Sequence, residues 1–364
     1  MNTDIKYMQL AIHMAHSTIG QTSPNPSVGA VIVKNGKIIA IGLHIEAGAP
    51  HAEVKAIHGV ANPQELDGST LYVTLEPCCH VGKTSACTDL IIKHKIKRVV
   101  VATLDKNPLV AGNGIKQLIN AGVEVTVGIL EEQAYQINKK FFYYINKRLP
   151  YITLKAGLSL DAKYATTTGE SQWITCAQAR LDAHSYRSTN DAILIGINTA
   201  LQDNPTLNTR VTGGGNQPIR IVLDSTLKIS ESMNLIQNTE AQTIIITGSN
   251  YNPQKREQLK KYTHVEIIHL DNPQIDLATT LEILAKQNIT SILVEGGEKI
   301  HNSFIQNQLF NELVIYLAPS LIGGSDAPNF FNAQGFAKLQ DAIKLTFTET
   351  VMVGTSMKIV ATRL

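Results

Sequence analysis

The sequence predicts an α/β protein of two domains, and three observations carry this prediction. Asn35-Gly36 separates two apolar runs and is a strong signal of a two-residue β-hairpin. Apolar strands then alternate with helical patterns, which is typical of a sheet with helices on both faces. Pro150 follows a long helical pattern, and a proline just past a helix favours a stop. We therefore expect two domains, residues 1–148 and 149–364.

In the first domain the hairpin precedes the strand–helix alternation, which predicts one mixed sheet. Apolar residues recur at helical spacing from Ile5 to Ile19, with Gly20 as the stop. Further helices are expected at 51–60, 87–95, 115–121 and 131–148, and strands at 28–33, 37–43, 70–75, 97–104 and 123–130.

The second domain repeats the alternation and is predicted to be a second α/β unit. Strands are expected at 151–160, 192–196, 219–224, 243–247, 265–270, 291–295 and 313–318, and helices near 177–188, 278–287 and 299–308. Gly213–Gly215 is interpreted as a loop, because the glycine spacing of a dinucleotide fingerprint is missing and no strand precedes it.

Composition excludes several functional classes. The 364 residues contain 32 basic and 30 acidic side chains, a net charge of +2, so a dedicated nucleic-acid binder with a broad basic field is disfavoured. A hydrophobic content of 43% with 17% charged residues is ordinary for a globular chain. The sequence contains no apolar run long enough for a membrane span and no signal-peptide pattern at its start. These observations predict a cytoplasmic enzyme.

The first domain contains a candidate metal site. Cys78, Cys79 and Cys87 lie within ten residues of one another, and His51 opens a predicted helix upstream. One imidazole and two thiolates leave the fourth tetrahedral position open, as catalytic zinc requires. Spacing does not decide between Cys78 and Cys79, although the preceding proline favours Cys78. Glu53 lies two residues after the histidine and could move protons to and from water.

This pattern matches the signature of zinc deaminases, H-x-E followed by P-C and a second cysteine. Eight residues separate Cys78 from Cys87, where two are usual. The insert contains His80 and Lys83, which suit an anionic group such as a phosphate. A purely structural zinc site, with His80 or Cys79 as fourth ligand, is the alternative.

The second domain offers one local motif, ILVEGGEK at 292–299. An apolar strand there ends at Glu295 and turns through Gly296-Gly297 into a predicted helix. Such turns let backbone N–H groups approach a phosphate, although many strand-to-helix turns use glycine for geometry alone. Lys155 and Asp161 mark the end of an earlier predicted strand.

Six motifs give the chain a family resemblance: PNPSVG (24–29), AGAPHAEVKAI (47–57), LYVTLEPCCHVGKTSAC (71–87), SLDAK (159–163), GESQWIT (169–175) and VEGGEK (294–299). Together they resemble the bifunctional deaminase/reductase family of riboflavin biosynthesis over nearly the whole chain. The resemblance implies a cytidine-deaminase-like α/β/α domain with a mixed sheet, followed by a dihydrofolate-reductase-like α/β domain. The long cysteine spacing is the family's own form of the motif.

The resemblance also implies two consecutive reactions on a small phosphorylated pyrimidine. The first is hydrolytic deamination of 2,5-diamino-6-(5-phosphoribosylamino)pyrimidin-4-one, and the second is reduction of the ribosyl group to ribityl by NADPH. One Zn²⁺ would be held by His51, Cys78 and Cys87, with Glu53 as the proton shuttle. The deaminase substrate would contact Asn25, His44, His80 and Lys83.

For the reductase domain the resemblance implies a longer set of residues. Lys155 would donate a proton, and Arg187 and Arg210 could clamp the phosphate. The substrate set is Ser171, Thr175, Arg187, Asn198, Asp203, Leu207, Arg210 and Glu295. The NADPH set is Gly157, Trp173, Thr199, Asp203, Ser225 and Gly297. A homodimer is expected, without nucleic-acid or membrane partners.

Two departures and two alternatives accompany this interpretation. Ala162 stands where the family more often has glycine, and Cys79 where it often has serine. One alternative is a single-activity zinc deaminase of a nucleobase or nucleic acid with an accessory C-terminal domain, which a basic groove with interleaved aromatics would support. The other is an enzyme in which one domain has become a scaffold.

Overall fold

The computed structural model describes residues 3–79, 86–107, 111–210, 215–332 and 335–363. These divide into two compact units, Met1–Arg148 and Leu149–Leu364. The first unit contains strands β1 (Gly29–Lys34), β2 (Lys37–Leu43), β3 (Thr70–Leu75), β4 (Arg98–Thr103) and β5 (Glu124–Val127). Its helices are α1 (Thr3–His16), α2 (Ala52–His58), α3 (Cys87–Lys93), α4 (Asn113–Asn120) and α5 (Glu131–Lys147).

The first unit is built on a five-stranded mixed sheet of order β2-β1-β3-β4-β5. Strand β1 pairs antiparallel with β2 and β3, and β3, β4 and β5 are parallel, which confirms the predicted mixed sheet. The hairpin is also confirmed, with positive φ at both Asn35 (50°) and Gly36 (72°), as a type I′ turn requires. Helix α1 packs on one face of this sheet and α2, α3 and α4 on the other, while α5 contributes residues to the apolar clusters of both faces.

Helix α1 ends at His16, three residues before the predicted end. The Ser17 hydroxyl donates to the Met14 carbonyl oxygen (2.7 Å) and the Thr18 hydroxyl to the Ala15 carbonyl oxygen (3.0 Å). Serine and threonine side chains compete in this way with helical backbone bonds, which explains the early stop.

Glycine determines how closely α2 approaches the sheet. A Cβ atom at Gly42 in β2 would lie 1.9 Å from the carbonyl oxygen of Ala52. Only glycine therefore allows the first turn of α2 to rest directly on β2. This contact brings the start of α2, with His51 and Glu53, towards the end of the sheet where β3 leads to Cys78.

The second unit contains nine strands within the described residues. They are β6 (Tyr151–Ser159), β7 (Ala192–Gly196), β8 (Ile219–Leu223), β9 (Thr243–Thr247), β10 (Val265–His269), β11 (Ser291–Val294), β12 (Glu312–Ala318), β13 (Leu345–Val353) and β14 (Ser356–Arg363). The helices of this unit are α6 (Ala177–Ser188), α7 (Ile197–Asp203), α8 (Asn234–Gln237), α9 (Pro253–Leu259), α10 (Leu277–Lys286) and α11 (Glu298–Gln306).

These strands form one sheet of order β10-β9-β8-β7-β11-β6-β12-β14-β13. Neighbours are parallel from β10 to β12, and the hairpin β13–β14 continues the sheet antiparallel. In the register of β11 with β6, Val294 lies opposite Leu154. Lys155, within β6, and Glu295, directly after β11, follow this pair, so the register brings them to the same level of the sheet.

The sequence patterns did not predict β13, β14 or the short helices α7, α8 and α9. Strand β13 is exposed over almost its whole length, with Phe347 73% exposed, so it shows no alternation of buried and exposed positions. Among the helices of the described residues, none is both long and apolar enough to cross a bilayer.

Candidate active sites

His51, Cys78 and Cys87 converge in the first unit, with their three ligand atoms within 4.8 Å of one another. His51 immediately precedes α2, Cys78 follows β3, and Cys87 is the first residue of α3. The Nδ1 atom of His51 lies 3.3 Å from Cys87 Sγ and 3.5 Å from Cys78 Sγ. Tetrahedral zinc separates nitrogen and sulfur ligands by about 3.5 Å, so this donor set fits the ion.

Hydrogen bonds among these three residues shift their pKa values. The Cys87 thiol donates to Cys78, which lowers the pKa of Cys78 to about 4 and raises the pKa of Cys87. The hydrogen bond with Cys78 raises the pKa of His51. The Cys87 backbone N–H also points at Cys78 Sγ, at 3.4 Å. The surroundings therefore favour a thiolate at Cys78.

Glu53 lies beside this donor set on the first turn of α2 and is only 4% exposed. Burial raises the pKa of Glu53 to about 7. A carboxyl group of this kind can both accept and return a proton near neutral pH. Its position therefore suits the shuttle role that the sequence predicts.

Glu76 holds the loop that carries Cys78, a role that the motif alone did not reveal. Its two carboxylate oxygens accept four backbone N–H groups, from Asp105 (3.2 Å), Gly112 (2.9 Å), Gly114 (2.9 Å) and Ile115 (3.3 Å). Two of the donors belong to the first turn of α4, so the carboxylate caps this helix. A Cβ atom at Gly114 would lie 2.2 Å from the Pro77 carbonyl oxygen, which shows how tightly α4 packs on this loop.

Of the four residues predicted to bind the deaminase substrate, Asn25 and His44 come together. The Asn25 side-chain amide lies 3.2 Å from His44 Nε2, and the His44 ring meets the His51 ring edge-on at 5.6 Å between centroids. Burial lowers the pKa of His44. His80 and Lys83 lie outside the described residues. Asn25 and His44 thus border the metal-ligand set.

The second unit contains a cavity of about 1100 Å³ at the carboxyl ends of its parallel strands. This volume is large for a single small ligand, since ligand pockets usually measure about 300–1000 Å³. Most of the predicted reductase residues line it: Lys155, Gly157, Ser171, Trp173, Thr175, Arg187, Asn198, Thr199, Asp203, Leu207, Arg210, Glu295 and Gly297. The structure therefore gathers into one cavity residues that are up to 142 positions apart in the chain.

Ser225 is not among the described residues that line this cavity. It follows β8, where its carbonyl oxygen accepts hydrogen bonds from the Gly248 N–H (3.0 Å) and the Thr247 hydroxyl (3.1 Å). A cofactor role for Ser225 stays a prediction.

Glu295 is the centre of a charged cluster in the cavity. The Lys155 ammonium lies 3.3 Å from Glu295 Oε2. Arg187 donates from Nε to Oε1 (3.1 Å) and from Nη2 to Oε2 (2.9 Å). Burial opposes the charged carboxylate, but Lys155 and Arg187 together outweigh it and hold the pKa of Glu295 below its usual range. Glu295 is therefore a carboxylate at neutral pH.

Arg187 and Arg210 occupy different settings. The Arg187 guanidinium faces Glu295, and its Nη1 also donates to the Asn208 carbonyl oxygen (3.0 Å). Arg210 is exposed and lines the cavity. Direct contact of Arg187 with a phosphate stays a prediction, whereas Arg210 presents an accessible cation.

Several residues that line the cavity were missed by sequence reasoning. His184 lies one turn before Arg187 on α6, and its buried Nδ1 has no hydrogen-bond partner among the described residues. The Arg180 guanidinium covers the ring of Trp173 at 4.4 Å from its centroid. Trp173 itself is 68% exposed, so it lies at the mouth of the cavity. His184 and Arg187 are three positions apart on α6, and this helical spacing was the one sequence signal that could have placed His184 beside Arg187.

The turn after β6 shows why position 162, which is alanine in this chain, is more often glycine in the family. Ala162 has a φ of +62°, in the left-handed region that favours glycine. Its N–H donates to the Ser159 carbonyl oxygen (2.9 Å), and its own carbonyl oxygen accepts from the Phe330 N–H (3.0 Å). The family's more common glycine thus serves backbone conformation at this turn.

Two protein-family models match this chain. The model of the cytidine and deoxycytidylate deaminase zinc-binding region matches residues 1–103, and the model of the RibD C-terminal domain matches residues 150–359. The fold and the sites therefore define an enzyme in which a zinc-binding deaminase domain is joined to a reductase domain.

Full-length relatives narrow this class to one family. The chain is 44% identical over 355 residues to the riboflavin biosynthesis protein RibD of Bacillus amyloliquefaciens, covering 98% of this chain and 95% of the relative. RibD of Aquifex aeolicus is 46% identical over 320 residues, 88% of each chain. The chain belongs to the RibD family: it is a bifunctional enzyme of riboflavin biosynthesis with deaminase and reductase activities.

Solved structures support this assignment. RibD of Acinetobacter baumannii superimposes with a TM-score of 0.88 at 34% identity, covering 100% of this chain and 99% of the other. A diaminohydroxyphosphoribosylaminopyrimidine deaminase/5-amino-6-(5-phosphoribosylamino)uracil reductase of Thermotoga maritima gives a TM-score of 0.87 at 34% identity and the same coverage. These likenesses do not favour a nucleic-acid deaminase with an accessory domain.

Proposed function

We propose that this enzyme carries out two consecutive reactions on one phosphorylated pyrimidine. The first domain, residues 1–148, removes an amino group of 2,5-diamino-6-(5-phosphoribosylamino)pyrimidin-4-one as ammonia. The second domain, residues 149–364, then reduces the ribosyl group of the product to ribityl with NADPH. The observation that carries the proposal is the convergence of His51, Cys78 and Cys87 beside the buried carboxyl group of Glu53.

In the deaminase domain, His51, Cys78 and Cys87 hold one Zn²⁺ per chain. When bound, the ion acts as a Lewis acid that makes water nucleophilic at neutral pH. Glu53 takes a proton from the attacking water and returns it to the departing amino group. Asn25 and His44 hold the pyrimidine base, and His80 and Lys83 bind the ribose phosphate.

In the reductase domain, Lys155 and Glu295 act on the ribosyl group. NADPH supplies a hydride to the ribosyl carbon when it is bound. The ring oxygen that is released needs a proton, and the Lys155 ammonium can donate it because its ion pair with Glu295 holds it in place. Arg210 pairs with the phosphate, and the remaining substrate contacts come from Ser171, Thr175, Arg187, Asn198, Asp203 and Leu207.

The cofactor lies against the turn that begins α11. Gly297 precedes this helix without a side-chain cap, so the first N–H groups of the helix remain available to a phosphate. The volume of the cavity supports two ligands, a dinucleotide and the substrate. Gly157, Trp173, Thr199, Asp203, Ser225 and Gly297 are the proposed NADPH contacts.

We propose that two copies of this chain form a homodimer through strand β13. Strand β13 is the edge of the nine-stranded sheet and exposes Phe347 and Met352. An exposed edge strand of nine residues is a template for pairing, and a second copy can pair with it antiparallel around a two-fold axis. Phe347→Lys should yield monomers in light scattering, and an unchanged dimer would place the interface elsewhere.

We propose the cytoplasm as the compartment of this enzyme, because two thiolate ligands fit a reducing environment.

The decisive experiment supplies the diamino substrate and follows ammonia release and NADPH absorbance separately. Glu53→Gln should stop ammonia release, retain zinc and still oxidise NADPH on substrate deaminated beforehand. Cys87→Ser should lose zinc, measured by elemental analysis. Loss of both activities in Glu53→Gln would refute two independent sites.

Chelation separates catalytic from structural zinc. A chelator should silence ammonia release while circular dichroism and NADPH oxidation are retained. Unfolding of the first domain on chelation would instead indicate a structural metal.

A further inference from the structure

Tyr164 and His301 form a hydrogen-bonded pair beside the reductase cavity, and the reaction described above does not use them. Tyr164 lies on the segment after β6 and lines the cavity. His301 is the fourth residue of α11 and is completely buried. The Tyr164 hydroxyl meets His301 Nδ1, and the two rings stack at 5.7 Å between centroids with planes 16° apart.

The direction of each hydrogen bond in this pair is determined. His301 Nε2 lies 3.2 Å from the carbonyl oxygen of Val294, which can only accept. The proton is therefore on Nε2, and Nδ1 accepts from the Tyr164 hydroxyl. Burial lowers the pKa of His301 to about 4, so the ring is neutral at physiological pH and keeps this tautomer.

His301 bridges the turn that presents Glu295. Its side chain binds the Val294 carbonyl before the turn, and its backbone N–H donates to the Gly297 carbonyl oxygen after it (3.2 Å). The turn contains two glycines, which lose more backbone freedom on ordering than other residues. The bond from His301 Nε2 to the Val294 carbonyl oxygen is a side-chain contact that helps to fix it, whereas the backbone bond to Gly297 belongs to the first turn of α11.

Tyr164 connects this turn to the segment that follows the neighbouring strand β6. It follows β6, which carries Lys155, and Lys155 pairs with Glu295 at 3.3 Å. Phe330 packs against both rings of the pair, at 6.2 Å from Tyr164 and 5.9 Å from His301 between centroids. The pair thus joins the segment after β6, the strand that carries Lys155, to the turn after β11, which carries Glu295.

We propose that Tyr164 and His301 are positioning residues of the reductase reaction, which hold the Glu295 turn at the correct distance from Lys155. This inference rests on the reductase half of the proposed function. A misplacement of about 1 Å in an active site can cost about a hundredfold in rate. The side-chain hydrogen bonds of His301 go to Tyr164 and to the Val294 carbonyl rather than to Lys155 or Glu295, so we expect its effect to pass through the backbone at residues 294–297.

The test measures NADPH oxidation on substrate deaminated beforehand. Tyr164→Phe removes only the hydroxyl, and we expect kcat to fall about tenfold while the KM for NADPH stays within about twofold. His301→Gln retains a donor for Val294 and an acceptor for Tyr164, whereas His301→Leu retains neither. We therefore expect His301→Gln to recover most of the kcat that His301→Leu loses.

Two controls separate positioning from general stability. Tyr262→Phe removes a hydroxyl of the same unit that contacts Glu231 (3.3 Å), away from the described cavity lining, and should leave kcat unchanged. Ammonia release should be unchanged in every variant.

Three results would overturn the inference. They are wild-type kcat and KM in Tyr164→Phe, equal losses in His301→Gln and His301→Leu, or a loss in Tyr262→Phe that matches that of Tyr164→Phe. If the unaltered enzyme did not oxidise NADPH, the proposed function would fail first, and the inference with it.

Discussion

The Arg187 guanidinium meets the Glu295 carboxylate through two hydrogen bonds, of 3.1 Å from Nε to Oε1 and 2.9 Å from Nη2 to Oε2. This two-point contact fixes the orientation of the carboxylate, which a single bond from Lys155 could not do. Arg187 therefore orients Glu295, in addition to its proposed contact with the substrate. Arg210 is left as the more accessible of the two arginines for an anionic ligand.

Glu295→Gln should disable the reductase and weaken its domain. The neutral amide leaves two partly buried cations without a counter-charge, and breaking such a cluster costs about 3–5 kcal/mol. We expect kcat for NADPH oxidation to fall about a hundredfold, with ammonia release unchanged. Urea unfolding and steady-state kinetics measure the two effects. Wild-type NADPH oxidation in this variant would contradict the role of the carboxylate.

Glu76→Gln should loosen the loop that carries Cys78. A glutamine amide cannot accept all four backbone N–H groups that the carboxylate now accepts, and each buried donor left unpaired costs about 1–3 kcal/mol. We expect a lower unfolding midpoint of the first domain and weaker zinc retention against a competing chelator. Glu65→Gln, in the short helical turn Pro63–Leu66, is the matched control and should change neither.

Ala162→Gly should stabilise the second domain. An alanine in the left-handed region destabilises the folded state by about 1–2 kcal/mol. Glycine relieves this strain, but its greater freedom in the unfolded chain offsets part of the gain. The expected gain is about 0.5–1 kcal/mol in the free energy of unfolding. Ala278→Gly, on an exposed position of α10, should instead destabilise. A loss in both variants would show that φ at position 162 does not limit stability.

Acid should release the contact between Asp161 and residues 322–323. The Ser159 hydroxyl, followed by the N–H groups of Ile322 and Gly323, lowers the pKa of Asp161 to about 2. An unfolded aspartate titrates near 3.9, so the contact stabilises fully above about pH 4 and is lost as pH falls through about 2. Amide exchange at Gly323, corrected for its intrinsic rate, should accelerate over this range. In Asp161→Asn this pH dependence should be absent.

The local features of the deaminase site could be predicted from sequence, because its ligands lie where short motifs meet helix starts. His51 and Cys87 stand at the beginnings of α2 and α3, where hydrophobic periodicity marks the boundary. The support that Glu76 gives to α4 was not visible, because its partners are backbone groups 29–39 positions away.

The reductase site depends on sheet order, which periodicity does not reveal. Lys155 and Glu295 are 140 positions apart, and they meet only because β6 and β11 are neighbours in the sheet. Tyr164 and His301 lack a local signal for the same reason. Strand β13 was missed because its exposed positions carry no burial pattern, and α7 because seven residues are too few to show helical periodicity.

The pairing of Val294 with Leu154 has a consequence for how this chain can vary. Successive side chains of a strand point to opposite faces, so one residue added or removed between Tyr151 and Lys155 would turn the ammonium away from Glu295. Residues 151–154 and 291–294 can therefore change in identity within the limits of packing, but not in number. Among functional descendants of this sequence, insertions and deletions should be confined to the loops, and the length of these two segments should remain constant.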